Sequence, residues 1–408
     1  MKILYLHQYF ATPNSSAGTR SYEMAKRFVK NGHDVEFITS SAFISSQFHF
    51  HQGWNQLELD GIKLNVLHMA YSNKDSFFNR IIKFINFSIR ATIKALTIKS
   101  DVVLATSTPL TIAIPAVIYS KIKNIPMVFE VRDLWPELPI AIGVLKNPVA
   151  IKLAKWLEVF AYKNAKRLVG LSPGMCDGII QKGIAPELVT LATNSCDTSL
   201  FDVSKDIGIE YKLNKWSFVN GRKLVVYTGT FGLINNIKYM VELALSSLKL
   251  GNDICFVAIG DGMQKNDVVR YAEEIGVLNV NFYVFEPVAK TEIVRLLSAA
   301  DLSLSLFGPI KEMWHNSANK LFDALASGTP IAINYGGWQQ ILIEENQCGV
   351  VLNPYDTELS ASILHEFLYD DEQYQRAKNA CHQLAYNEYS RDFMAKKLED
   401  TLVRALND

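Results

Sequence analysis

Lys2-Ile3-Leu4-Tyr5-Leu6, a polar turn at Ser15-Ser16-Ala17-Gly18-Thr19, helical spacing from Arg20 to Asn31 and Asp34-Val35-Glu36-Phe37-Ile38-Thr39 open this 408-residue chain. Strand, Gly-containing turn, helix and strand in that order form a βαβ unit. Strand patterns recur at Lys63 to Leu67, Asp101 to Ala105, Met127 to Val131 and Arg167 to Leu171, with helical stretches between them. That alternation predicts a doubly wound parallel sheet. It then begins again at Lys223 to Thr228, Asp253 to Ile259, Val280 to Phe285, Leu302 to Leu306, Pro330 to Asn334 and Gly349 to Leu352. The prediction is an α/β protein of two Rossmann-like lobes, 1–200 and 201–388. The boundary is expected within Asp197 to Gly221, where periodicity fades and polar residues and Gly accumulate. A last helical segment, about 389–408, has no strand after it.

With 49% hydrophobic residues, the chain is long enough for two full cores. Its five cysteines are odd in number, lack C-x-x-C spacing and follow no secretory leader, so free thiols in a reducing, cytoplasmic setting are expected. The apolar run Val102 to Tyr119 is broken by Thr, Ser and Pro and is poor material for a membrane span. Net charge is zero, yet Met1 to Leu200 carries 22 Lys/Arg against 14 Asp/Glu. The excess of bases suits an anionic lipid or acceptor. No RNA-binding signature accompanies it, which argues against nucleic acid.

In open α/β sheets, ligands bind beyond the carboxyl ends of strands, so the loops there hold the candidate chemistry. Gly18 precedes the first helix, where backbone approaches a ligand closely and the helix N-terminus is electropositive. Glu130-Val131-Arg132-Asp133-Leu134-Trp135-Pro136-Glu137 places three acids and an arginine at a strand exit, where unpaired burial is costly. They either line a solvated site or pair with one another. Gly229 and Thr230 in Tyr227 to Lys238 form a glycine turn suited to a diphosphate, and Gly260 stands in a second glycine turn, Ile259-Gly260-Asp261-Gly262, after the next strand. Finally, Trp314-His315-Asn316-Ser317-Ala318-Asn319-Lys320-Leu321-Phe322-Asp323 reads as a polar turn opening a helix near Ser317. The first amides there, with Ser317, Ala318, Asn319 and Lys320, would hold phosphate, and Asp323 would accept from a ribose diol.

The Asp133 to Glu137 run and Asn319 to Pro330 resemble family 4 glycosyltransferases, retaining enzymes of the GT-B fold with two Rossmann-like domains facing a cleft. The resemblance covers nearly the whole chain. Asp133-Leu134-Trp135-Pro136-Glu137 is similar to the fucosaminyl- and N-acetylhexosaminyltransferases of O-antigen and capsule clusters. What it implies is a UDP-sugar donor, with Gly260 in the family's Gly-x-Gly turn and the base held through backbone groups at Val284-Phe285-Glu286-Pro287-Val288, a polyprenyl-diphosphate-linked or oligosaccharide acceptor, and a terminal helix crossing back to the first domain. Asp133 is then the candidate near the reacting sugar or acceptor hydroxyl, with Glu137 second and Arg132 and Arg20 on the acceptor side.

The family's two glutamates, separated by seven residues, fall on His315 and Asp323. Asp323 keeps a carboxylate; His315 does not, although it is able to donate to a sugar hydroxyl or phosphate. The family's diphosphate-binding Arg and Lys are replaced by Thr230 and Asn236, leaving backbone, Lys320 or Arg132 to supply positive charge. No Asp-x-Asp triplet occurs, no metal-ligand cluster is evident, and no metal or other cofactor is expected. Lys74 to Lys99, with one acid against six bases among Phe and Ile, suits peripheral contact with anionic lipid, or else a core helix with exposed bases. The competing readings are a non-transferring enzyme of the same fold, such as a UDP-GlcNAc 2-epimerase, and a nucleotide-binding protein with a degenerate site.

Overall fold

The computed structural model describes residues 1–15, 18–69, 77–107 and 109–408; the expectations placed on Ser16, Ala17 and residues 74–76 lie outside them. The chain divides into two compact units, Met1–Thr193 with Arg391–Asp408, and Asn194–Ser390. The polar segment 197–221 therefore belongs wholly to the second unit. It folds largely as helix, and part of its polarity is capping: Asp197 and Ser204 accept the amides of Leu200 and Asp206 at two helix starts.

The first unit is built on β1 (Lys2–Leu6), β2 (Asp34–Ser40), β3 (Trp54–Leu59), β4 (Ile62–Leu67), β5 (Val102–Thr106), β6 (Met127–Val131), β7 (Arg167–Gly170) and β8 (Val189–Leu191). They lie in the order β3-β4-β2-β1-β5-β6-β7-β8. All pair in parallel except β3 with β4, a hairpin turning at Asp60 and Gly61, both at positive φ. Its helices are α1 (Arg20–Lys30), α2 (Phe77–Leu96), α3 (Ala113–Lys123), α4 (Glu137–Ala141), α5 (Pro148–Asn164) and α6 (Pro173–Gln181). Strand order reverses at β1, which pairs with β2 on one side and β5 on the other. A switch point of that kind opens a crevice beyond the strand ends.

The second unit repeats the scheme with β9 (Lys223–Thr228), β10 (Ile254–Ile259), β11 (Phe282–Phe285), β12 (Leu302–Ser305), β13 (Ile331–Ile333) and β14 (Gly349–Val351). Their order, β11-β10-β9-β12-β13-β14, puts the switch at β9. The helices are α7 (Thr198–Phe201), α8 (Lys205–Lys215), α9 (Ile237–Lys249), α10 (Lys265–Glu274), α11 (Lys290–Ala299), α12 (Asn319–Ser327), α13 (Trp338–Asn346), α14 (Thr357–Tyr369) and α15 (Asp371–Asn387).

The chain then re-enters the first unit as α16 (Arg391–Asn407), which packs on α1 and touches β5 to β8. Glu399 of α16 receives Asn31 Nδ2 and contacts His33 Nε2, both at 2.8 Å, and Arg391 pairs with Glu23 at 3.0 Å. No disulfide links the five cysteines. Among the described residues no helix is long and apolar enough to cross a membrane.

Candidate active site

In the first unit the candidate residues gather beyond β1, β5 and β6. Glu130, fully buried near the end of β6, receives Arg20 Nε at 3.0 Å, Arg20 Nη2 at 2.9 Å and Thr106 Oγ1 at 2.7 Å. Burial alone would raise its carboxyl; Arg20 and Arg132, with those hydrogen bonds, outweigh that and hold it below the ordinary carboxylate range. Arg20 also donates to the carbonyls of Thr193 and Ala192. Expected on the acceptor side, Arg20 is instead the buried partner of Glu130. As the first residue of α1 it reaches the end of the interior strand β6, where a buried, ionised glutamate requires a cation.

Arg132 stands one step nearer the open end. Its amide donates to Ser107 Oγ at 2.9 Å, and its Nη1 lies 3.4 Å from His7 Nε2. Because guanidinium only donates, His7 Nε2 accepts and Nδ1 carries the proton, given to Ser21 Oγ at 2.8 Å. Burial, reinforced by the Arg132 charge, holds the imidazole well below its ordinary value, so His7 is neutral. Asp133 follows. The residue is exposed to solvent, yet the protein atoms crowded around its carboxyl raise it to about 6, with Arg132 working against the rise. A carboxyl so placed sits close to the range a general base requires.

Glu137, the second acidic candidate, is drawn elsewhere. It begins α4, and its Oε1 receives Lys182 Nζ at 3.0 Å; the same ammonium lies 3.0 Å from Glu158 of α5, whose side chain is fully buried. Burial raises the Glu158 carboxyl and Glu137 adds to the rise. Glu137 thus shares one lysine with a buried acid instead of joining Arg132 and Asp133. Gly18 leads into α1, whose N-terminus has no side-chain cap.

In the second unit the two glycine turns interlock. Gly229 and Gly260 have φ of +150° and +152°, and a Cβ on Gly260 would stand 1.8 Å from the Gly229 carbonyl oxygen. Both positions need glycine. The Lys320 ammonium lies across Gly229, 4.9 Å from the centre of the buried Tyr227 ring. Burial pulls its pKa down to about 8 against the opposing Asp323 carboxylate, although water reaches part of the side chain. Tyr227 Oη donates to the Thr230 carbonyl at 2.9 Å, which fixes the turn while leaving the Thr230 residue exposed. Asp323 pairs with Lys290 of α11, a cation that nothing in the local sequence marks.

The helix of the polar turn starts at Asn319, later than the expected start near Ser317. Ser317 Oγ and carbonyl receive Asn194 N–H at 3.0 Å and Nδ2 at 2.6 Å, and Asn316 Oδ1 accepts the Ala318 amide at 2.9 Å. These bonds hold the loop extended up to an α12 terminus without a side-chain cap, leaving backbone donors there for an anion. Behind the loop stands Gln339, fully buried. It gives Nε2 to the Asn316 carbonyl and Oδ1 at 3.0 and 2.9 Å and accepts Tyr335 Oη at 2.7 Å, while Trp338 Nε1 reaches the same carbonyl at 2.7 Å. His315 ends a short 3-10 turn and is exposed. The Phe285 ring stacks on Trp216, with centroids 5.9 Å apart, which leaves backbone as what this position offers a base.

His7, Lys290 and Gln339 are the residues that motif reading passed over. His7 was within reach of the strand-end rule, being the first residue after β1.

The Glycosyl transferase 4-like domain family matches residues 16–194, and the Glycosyl transferases group 1 family matches residues 209–383. The probable glycosyltransferase WbjE of Pseudomonas aeruginosa is 24% identical over 310 residues, 72% of this chain and 73% of that protein. The putative colanic acid biosynthesis glycosyl transferase WcaI of Escherichia coli K12 is 20% identical over 293 residues, 69% of this chain and 71% of that protein. The fold matches HepE of Anabaena, solved in complex with UDP and glucose, with a TM-score of 0.70 and 17% identity, covering 99% of this chain and 100% of that one. With two parallel-sheet units and a family match on each, this chain belongs to the family 4, or group 1, glycosyltransferases of the GT-B fold.

Proposed function

We propose that this glycosyltransferase moves an N-acetylated hexose or 6-deoxyhexose from a UDP-sugar, with retention, to a lipid-linked or oligosaccharide acceptor during bacterial surface-polysaccharide assembly, at the cytoplasmic face of the membrane. The observation that carries this reading is the cradle of the second unit. Interlocked Gly229 and Gly260, the Lys320 ammonium lying over Gly229, and the uncapped α12 terminus together suit a diphosphate, and Asp323 lies within the same helix. UDP in HepE and the colanic acid assignment of WcaI support it.

Lys320 and the α12 amides stabilise the departing diphosphate, and Asp323, steadied by Lys290, takes the ribose hydroxyls. Gly229 and Gly260, whose own amides donate to the Ile259 and Phe285 carbonyls, let the donor come close to the backbone for want of side chains; Gly18, Thr230, Phe285, Ser317 and Asn319 contribute backbone, and Ala318, its amide taken by Asn316 Oδ1, shapes the loop. Asp133 accepts the acceptor's hydroxyl proton; Arg132, oriented by neutral His7, holds that carboxylate in place. His315 donates to the donor, and Glu137 with Arg20 supports the loop from behind. The lipid portion of the acceptor engages the basic segment 74–99.

Calorimetry with UDP, GDP, ADP, dTDP and CMP tests the donor class. Selective UDP binding, followed by turnover of a UDP-N-acetylhexosamine to a product of unchanged anomeric configuration by NMR, is the expected result. Selective binding of another nucleotide, or an inverted product, would overturn it.

A further inference from the structure

Helix α2 exposes Ile82, Ile85, Ile89 and Ile93, between 48% and 64% accessible, at spacings of three and four that make one stripe; Phe87, Ala91 and Ala95 face the core. Its neighbour α3 exposes Ile118 and Ile122. Beyond α3, α5 exposes Val149, Leu153 and Trp156, at 60% to 65%. Three helices packed side by side thus leave apolar stripes in water, more than scattered surface residues explain.

The three helices hold nine Lys/Arg and a single acid, Glu158, whose side chain is fully buried. Every charge that they present to solvent is therefore positive. A second copy of this chain docking on the same face would bring cations against cations, whereas an anionic bilayer complements both the charge and the apolar stripes. Position agrees: Phe84 of α2 meets the Tyr9 ring edge-on at 6.3 Å, and Tyr9 lies two residues past His7. The face begins beside the strand ends that carry Arg132 and Asp133.

We infer that α2, α3 and α5 together form a docking platform for an anionic membrane surface, with Trp156 as an interfacial anchor and the α3 and α5 lysines at the headgroups. This deepens the reading of a lipid-linked acceptor and rests on it for its purpose. It extends the contact from one helix to three.

The test is flotation of the full chain with vesicles of phosphatidylglycerol and phosphatidylcholine, compared with phosphatidylcholine alone. Wild type should bind the anionic vesicles and release with salt. Lys121→Gln with Lys123→Gln should weaken binding about 25-fold, at roughly fivefold per lysine. Leu153→Ser with Trp156→Ser should also weaken it. All four side chains are exposed, and UDP affinity should be unchanged in both variants. Equal binding to neutral vesicles, or variants that float like wild type, would overturn the platform. So would a concentration-dependent dimer in sedimentation velocity that the α5 variant dissolves, since the occupant is then a second copy. Flotation uses no nucleotide, so failed UDP binding sinks the donor reading and failed flotation sinks this one.

Discussion

Raising the pH from 7 to 9 should weaken UDP binding about tenfold through one side chain, Lys320. Burial beside Gly229 and Tyr227 pulls that ammonium down to about 8, with Asp323 opposing. Relative to the ordinary lysine value of 10.5, the net disfavour of the charged form, desolvation less the Asp323 attraction, is about 3.5 kcal/mol, at about 1.4 kcal/mol per pH unit. A diphosphate against the ammonium restores the preference for the charged form. Below 8 the cation is already present. Above it, binding must take up a proton, so affinity falls toward a factor of ten per pH unit, and the two regimes differ by about tenfold between pH 7 and 9. Calorimetry with UDP at pH 7, 8 and 9 measures the slope. Lys320→Arg stays charged throughout and should flatten it; Lys320→Met should bind weakly at every pH. The uracil imide titrates at alkaline pH too, but equally in all three proteins. A slope in Lys320→Arg equal to that of wild type would refute a proton-linked ammonium at the diphosphate.

Asp133→Asn should abolish transfer while leaving UDP affinity intact, and wild-type kcat/KM should climb through about pH 6 as the carboxyl ionises; a profile flat from pH 5 to 7 removes Asp133 as base. Arg20→Met should destabilise the first unit by about 3–5 kcal/mol in urea unfolding, because Glu130 is left buried and unpaired. Glu130 is held below its ordinary range, so the pair's stability is present at neutral pH and is lost as acid protonates the folded carboxyl. Gly260→Ala forces a Cβ to within 1.8 Å of the Gly229 carbonyl and should lose UDP binding together with stability, both readable by thermal unfolding with and without UDP.

Most strands were legible because the core strands of both units are short apolar runs spaced by helical patterns. The hairpin strand β3 was missed although Asp60-Gly61, a favoured hairpin dipeptide, stands at its turn. Its residues, none of them buried, include Asn, Gln and Glu and no β-branched side chain, so the strand signal is weak. The unit boundary was harder for a different reason. Capped helices starting at Thr198 and Lys205 look polar in sequence, whereas the chain passes between units after Thr193 and after Ser390, where no local pattern changes.

The site divides along the same line. Local pattern sufficed where backbone does the work: glycines at strand ends, a helix start after a polar loop, an acid one turn inside it. These depend on φ/ψ and on spacing along one element, which a sequence states directly. Tertiary structure alone assigned the side chains. Arg20 and Glu130 are 110 residues apart, Lys290 and Asp323 are 33, and His7 and Arg132 are 125. Which cation meets which anion is set by strand order and by which helix crosses over, and burial then fixes whether each group is charged. That is why Arg20 moved from the acceptor side to a buried pair, why Glu137 turned to Lys182, and why three separate runs of Ile, Leu and Trp became one basic, apolar face.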